Sequence, residues 1–210
     1  MRLASIEQLR GVYRPPGRVP VDKVIHRLDA HCVEFLAKSP FVVVSTANSE
    51  GVCDGSPKGG PPGFVQVLDD QRLAWADFSG NNRLDSFHNL LTNDGIALLF
   101  LIPGLDETLR INGAAELVDD PDLCTRLAID GKRARVAVVV TVVEAYLHCA
   151  KALRRGGLWS PETWLAEDQL PSGACIIKDH ASLDADVEVI SEYRARDLET
   201  TLWEPGGDAR

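Results

Sequence analysis

Residues 95–118, GIALLFLIPGLDETLRINGAAELV, hold the pattern that sets the fold. Two apolar runs, GIALLFLI and TLRINGAAELV, flank PGLDE, whose Pro and Gly interrupt any regular period, so the segment predicts two antiparallel strands joined by a turn. Upstream, FVVVSTA (41–47), the turn NSEG and VCDGSP (52–57) predict one hairpin, and FVQVLD (64–69), a turn at Asp70 and Gln71, and RLAWAD (72–77) predict a second. Downstream, ARVAVVVTVVEAYLHC (134–149) predicts a further strand, since its β-branched core VAVVVTVV is far too short to span a bilayer as a helix. Five or more antiparallel strands with short helices spliced between them place the chain in a mainly β (α+β) class. An antiparallel barrel suits that order better than a doubly wound sheet.

The helices follow from apolar spacing and caps. From Asp22, a candidate N-cap, Ile25, Leu28, Cys32, Phe35 and Leu36 recur at helical spacing until Ser39 and Pro40. In 83–91, Leu84, Phe87, Leu90 and Leu91 fall on one side of a short helix that ends at Asn93-Asp94-Gly95. Asp120 followed by Pro121 opens another. Residues 1–21, with Pro15, Pro16, Gly17 and Pro20, predict an extended arm wrapped on the body or on a partner. The expected organisation is that arm, a barrel domain over 22–160, and a helical extension over 161–210, notably 183–202, packed on the barrel.

The 210 residues suffice for one domain with terminal additions, and a charged fraction of 25% beside 45% hydrophobic residues excludes a disordered or coiled-coil chain. With 31 Asp and Glu against 22 Lys and Arg, the formal charge of -9 repels a phosphate backbone and argues against nucleic-acid binding. The N-terminal segment lacks the apolar core of a secretory signal, and five scattered cysteines without a CxxC pair suggest neither a disulfide framework nor a zinc site. A cytoplasmic protein without metal or membrane partner is expected.

Three groups of residues could carry chemistry. Ser79-Gly80-Asn81-Asn82-Arg83 lies between a predicted strand and helix, where free amides and a guanidinium suit a phosphate; the plain alternative is an Asn N-cap followed by a surface Arg. Ser56-Pro57-Lys58-Gly59-Gly60 brings glycines and a cation to a loop without P-loop spacing. Strand alternation sets Thr108, Arg110 and Asn112 on one face. If Lys58, Arg83 and Arg110 converged, local positive potential would stand against the global charge. His148 and Cys149 are adjacent in a strand, so alternation separates them and disfavours a nucleophilic dyad. Trp75 and Trp159 are candidates to stack on a planar ligand or to fill core. His26, His31, His88 and His180 lack metal-ligand spacing.

The runs VVVSTANSEGVCDGSPKG (42–59), LAWADFSGNNRLDSFHNLLTNDGIALLFLIPGLDETLRINGAAELV (73–118) and HCAKALRRGGLW (148–159) resemble the pyridoxamine 5'-phosphate oxidase-like flavoproteins, which have an FMN-binding split β-barrel. The resemblance covers about residues 30 to 155 and implies an uncharacterised branch rather than the oxidase itself. It implies a homodimer with FMN across the subunit interface. Position by position, Asn82 and Arg83, beside Asn81, match the pair that holds the FMN phosphate. Trp75, Ala76 and Asp77 match the strand beside the ribityl chain and ring, and Ser56, Pro57 and Lys58 match the edge lining the flavin. Thr108 aligns with a ring contact from the partner subunit, with Arg110 two residues on. Lys58, Arg110 and Lys151 are candidates for a cation near the ring.

The chain departs from the oxidase at Gly55, where the oxidase has a phosphate-contacting Arg, and at Asn82, one charge short of a basic pair. The oxidase's C-terminal W…R-x-H-x-R signature is absent from 185–210. The expected function is therefore an FMN-dependent oxidoreductase acting on a small molecule, with pyridoxal phosphate synthesis disfavoured and no side chain assigned as general acid or base. The alternatives are a flavin- or heme-binding protein without turnover and a deazaflavin-dependent reductase of the same fold.

Overall fold

The computed structural model describes residues 2–206. Three helices precede the sheet: α1 (Ile6–Val12), α2 (Arg18–Asp22) and α3 (Ala30–Lys38). Strands β1 (Phe41–Ala47), β2 (Cys53–Gly59), β3 (Gln66–Val67) and β4 (Arg72–Ala76) lead to α4 (Asp85–Leu90). Then come β5 (Gly95–Leu101), β6 (Thr108–Val118), α5 (Pro121–Arg126), β7 (Ala137–His148) and α6 (Lys151–Arg155). The C-terminal extension holds α7 (Gly173–Ala181) and α8 (Val187–Thr201).

All strand pairings are antiparallel, in the order β2-β1-β5-β6-β7-β4-β3. The ladder does not close, yet Val42 and Val44 of β1 share one buried cluster with Leu73 and Trp75 of β4, four strands away. Only a strongly curled sheet brings them together, and the fold is a split β-barrel. The pairing of β6 with β7 shifts between Asn112 and Gly113, where Val143 of β7 is the extra residue of a bulge that bends the sheet. A Cβ at Gly113 would collide with the Thr141 carbonyl, so the bulge needs glycine. Helix α3 closes the core with Cys32, Phe35 and Leu36. Burial pushes the Cys32 thiol up to about 11, which leaves it protonated and inert. The opposite face of β4 and β7 packs Ala74, Ala76 and Val139 against Cys124 and Leu127 at α5, so β4 is buried on both sides.

Several sequence expectations shift. Helix α3 starts at Ala30, because Asp29 rather than Asp22 caps it by accepting from the Cys32 amide, 2.9 Å away. Ile25 instead bridges to Ala145. The arm is not extended but holds α1 and α2, with residues 2–22 exposed throughout. Helix α4 turns Ser86, Asn89 and Leu90 inward, while Leu84 and Leu91 are exposed. Its inner face is polar because Ser86 Oγ donates to Asp54 at 2.9 Å and Asn89 Nδ2 to Thr46 Oγ1 at 2.9 Å, stapling the helix to β1 and β2. All five cysteines are free thiols. Among the described residues, no helix is long and apolar enough to cross a membrane.

Candidate functional site

Strand β2 alternates strictly, with Asp54, Ser56 and Lys58 half-buried and Gly55, Pro57 and Gly59 exposed. The half-buried set forms one wall of a cleft of about 210 Å³, and Asp77, Gly80, Asn81, Asn82 and Phe87 form the other. Lys58 Nζ lies 3.5 Å from Asp77 Oδ1 and 6.0 Å from the centroid of the Phe87 ring. Burial raises the Asp77 carboxyl above its ordinary value, and the Lys58 ammonium opposes that shift only in part.

The far wall is shaped by unusual backbone. Asn82 and Leu84 both take the left-handed conformation, at φ 54° and 57°. For Leu84 this costs on the order of 1–2 kcal/mol, and no side chain caps the helix that begins after it. The Asn81 carboxamide accepts from the Arg83 amide at 3.0 Å. Among the described residues, the amides of Gly80, Asn81 and Asn82 donate to no acceptor within the chain. The C-terminal segment braces the same wall: the Ser79 amide donates to the Glu204 carbonyl at 2.7 Å, and Phe78 meets Trp203 edge-on at 5.9 Å.

A second cleft, of about 300 Å³, lies on the opposite face of the sheet. The register Leu99↔Arg110↔Tyr146 puts Arg110 on that outer face, whereas Val42↔Lys58 puts Lys58 on the core side. Arg110 sits 5.7 Å from the Tyr146 ring, and its Nε is 3.4 Å from Asn112 Oδ1. Strand β7 ends at His148, so Cys149 escapes the alternation expected of a strand, and both residues line this second cleft.

A family model described as pyridoxamine 5'-phosphate oxidase matches residues 28–149, more than half of the chain. The chain belongs to the pyridoxamine 5'-phosphate oxidase family. No curated protein matches it in sequence. Similar solved structures include a Clostridium acetobutylicum protein of the pyridoxinephosphate oxidase family related to general stress protein 26. It is 17% identical over 55% of this chain and 83% of that one, with a TM-score of 0.43. An FMN-binding protein from Syntrophomonas wolfei is 12% identical over 55% and 87%, with a TM-score of 0.43. The heme storage protein HutZ from Vibrio cholerae is 12% identical over 58% and 94%, with a TM-score of 0.40.

In this family member, one subunit brings together Ser56, Pro57, Lys58, Asp77, Asn81 and Asn82 in the first cleft. Arg83 is the neighbour that stays out. Its side chain is 72% exposed, pairs with Asp85 at 2.8 Å, and lines an adjoining depression with Asp54 and His88. Thr108 and Arg110 line the second cleft, and Lys151 is exposed at the start of α6. Trp75 and Ala76 are buried at 2% and 8% and line neither cleft; the Trp75 side chain faces the main core. Trp159 is half-buried, donates Nε1 to the Leu105 carbonyl at 2.8 Å and lines neither cleft. Sequence reasoning missed Asp54, Ser86 and Phe87, although the polar i, i+3 pair Ser86 and Asn89 was a visible sign that α4 presents a polar side to the sheet.

The first cleft gathers donors that suit an anion: the Lys58 ammonium, the Ser56 hydroxyl, the Asn82 carboxamide and, among the described residues, three amides without an acceptor. Its carboxylates are already engaged, Asp54 by Ser86, Asp77 by Lys58 and Asp85 by Arg83. Open space at Gly80, where a Cβ would meet nothing within 4 Å, leaves room for a ligand to approach the backbone.

Proposed function

We propose that the protein binds FMN between two copies of the chain and serves as an FMN-dependent oxidoreductase for a small molecule. The observation that carries this reading is the first cleft, where Lys58 faces a strained turn with three unengaged amides. A turn of this kind is a ready anion cradle, and a single charge-assisted contact from an ammonium fixes its occupant. Anchoring thus rests on one cation and neutral donors rather than on a cluster of arginines.

Two features support a paired subunit. The cleft's 210 Å³ falls below the roughly 300–1,000 Å³ of complete small-molecule sites. Arg110 and Thr108 also lie across the sheet from Lys58, so in one chain they cannot reach the same ligand. Packing the outer sheet face of one copy against the β2 edge of the other would set Arg110 and Thr108 of the first beside the cleft of the second. The bound flavin would supply a ring that accepts and returns a hydride. The protein's own part is to hold the phosphate at Lys58, Ser56 and the 80–82 amides and to place the Arg110 guanidinium where negative charge on a reduced ring is stabilised.

The reading is tested by titrating the cofactor-free chain with FMN and with riboflavin, which lacks the phosphate. Losing the Lys58 ammonium removes a charge-assisted contact worth about 1.5–3 kcal/mol, so Lys58→Ala should weaken FMN about 10- to 100-fold and leave riboflavin unchanged. Equal weakening of both, or of neither, would remove the phosphate from this cleft.

A further inference from the structure

The two ends of the chain outside the family match carry opposite charge. Residues 2–21 hold Arg2, Arg10, Arg14 and Arg18 against the single acid Glu7. Residues 161–210 hold twelve Asp and Glu against four Lys and Arg. The two segments leave unsatisfied apolar surface as well. In the arm, Ile6 is 78% exposed, Tyr13 62% and Val19 73%, and α1 buries nothing. On α8 only Ile190 is buried, while Val189, Tyr193 and Leu198 are exposed.

The surfaces match in layout. Ile6, Leu9 and Tyr13 recur at i, i+3 and i+7, forming one apolar stripe with Arg10 on its flank. On α8 the spacing 188, 192, 199 puts Glu188, Glu192 and Glu199 along one stripe, interrupted by Arg196 between the last two, and Val189 and Tyr193 form an apolar stripe beside it. Within a single chain the arm does not use that surface, since every residue from 2 to 22 is exposed. Lys23, which donates to the Leu147 carbonyl at 2.6 Å, and Ile25, bridged to Ala145, fix where the arm leaves the body.

We propose that the arm docks on α8 of a second copy of this chain, with the stripe of Ile6, Leu9 and Tyr13 against Val189 and Tyr193 and with Arg10 and Arg14 against the Glu188, Glu192 and Glu199 row. Complementary charge is what selects a second copy: an arm this basic is attracted to a body this acidic, and two reciprocal arms close a twofold pair without leaving a free surface. Neither surface borders the cleft, so the pairing stands whether or not a cofactor is bound.

The test mixes copies of the full chain carrying R10K and R14K, which keep the charge and add amines, one population isotopically heavy and one light. Carbodiimide then couples neighbouring amines and carboxylates. Expected are hybrid heavy–light links from positions 10 and 14 to Glu188, Glu192 or Glu199, diminished in about 1 M salt, where screening acts within about 3 Å. In sedimentation, E188K/E192K in the otherwise unaltered chain should weaken self-association at least about tenfold, a reversal of charge at sites that bury no side chain. Links found only within one copy, no links at all, or sedimentation unaffected by E188K/E192K would each overturn the proposal, including the case in which the arm serves a different protein.

Discussion

Asp77 faces two opposed influences, burial that favours its neutral form and Lys58 at 3.5 Å that favours its charged form, with burial the larger. An acid whose pKa is raised by folding holds its proton more tightly folded than unfolded. Its contribution is therefore fully present below the ordinary value of 3.8 and is lost as pH rises through the folded value. Asp77→Asn removes the penalty of charging a buried group. Its melting midpoint should exceed that of the parent by a margin that widens from about pH 4 to about pH 7. A margin that is constant or narrows over this range would mean that the Lys58 pair, not burial, governs the carboxyl. Residue type and neighbours identified Lys58, Asn81 and Asn82, and the family resemblance identified Asp77; the four do meet in the first cleft. Trp75 could not be placed the same way, because strand β4 is buried on both faces and alternation alone does not tell a core side from a ligand side.

Among the elements, β6 and β7 carry the bend that curls the sheet, and the bend depends on Gly113. Gly113→Ala forces a methyl onto the Thr141 carbonyl, a clash with backbone that no rotamer relieves. The expected loss is about 1–3 kcal/mol, seen as a fall of about 2–4 °C in melting midpoint for each kcal/mol. An unchanged midpoint would show that the bulge tolerates a side chain. The C-terminal segment makes a second, milder dependence. Ending the chain after Leu202 removes the Glu204 acceptor and the Trp203 ring, so amide exchange at Phe78 and Ser79 should speed up by at least about tenfold; unchanged exchange would show that the wall stands unaided. Most strands were legible as apolar or alternating runs bounded by turn residues, although the run 64–69 forms only the two-residue β3. The start of α5 was legible too, with Asp120 as its cap and Pro121 as its first residue, but that of α3 was not, since Asp22 and Asp29 are equally good caps in sequence and only the bridge from Ile25 to Ala145 decides between them. The face of α4 was half legible: Phe87 and Leu90 do pack on the core, whereas Leu84 and Leu91 do not. Apolar spacing favoured Leu84 and Leu91, but hydrogen bonds to Asp54 and Thr46 outweighed it.

For the whole molecule, the governing fact is that the sheet separates the cations proposed to act together. Lys58 is on the core side, Arg110 on the outer side, and Arg83 in an adjoining depression, paired with Asp85. The sequence named all three without being able to say which faces meet, because facing relations between strands three places apart, as β2 and β6 are, are set by curl and not by local pattern. The proposed site draws on both faces and would be complete only in an assembly, with the donors of the first cleft holding the phosphate of the proposed mononucleotide. The decisive measurement is the mass of the small molecule released when the purified, full-length protein is denatured. FMN should be recovered at close to one per subunit. Recovery of heme or a deazaflavin, or of nothing even after incubation with excess FMN, would contradict it.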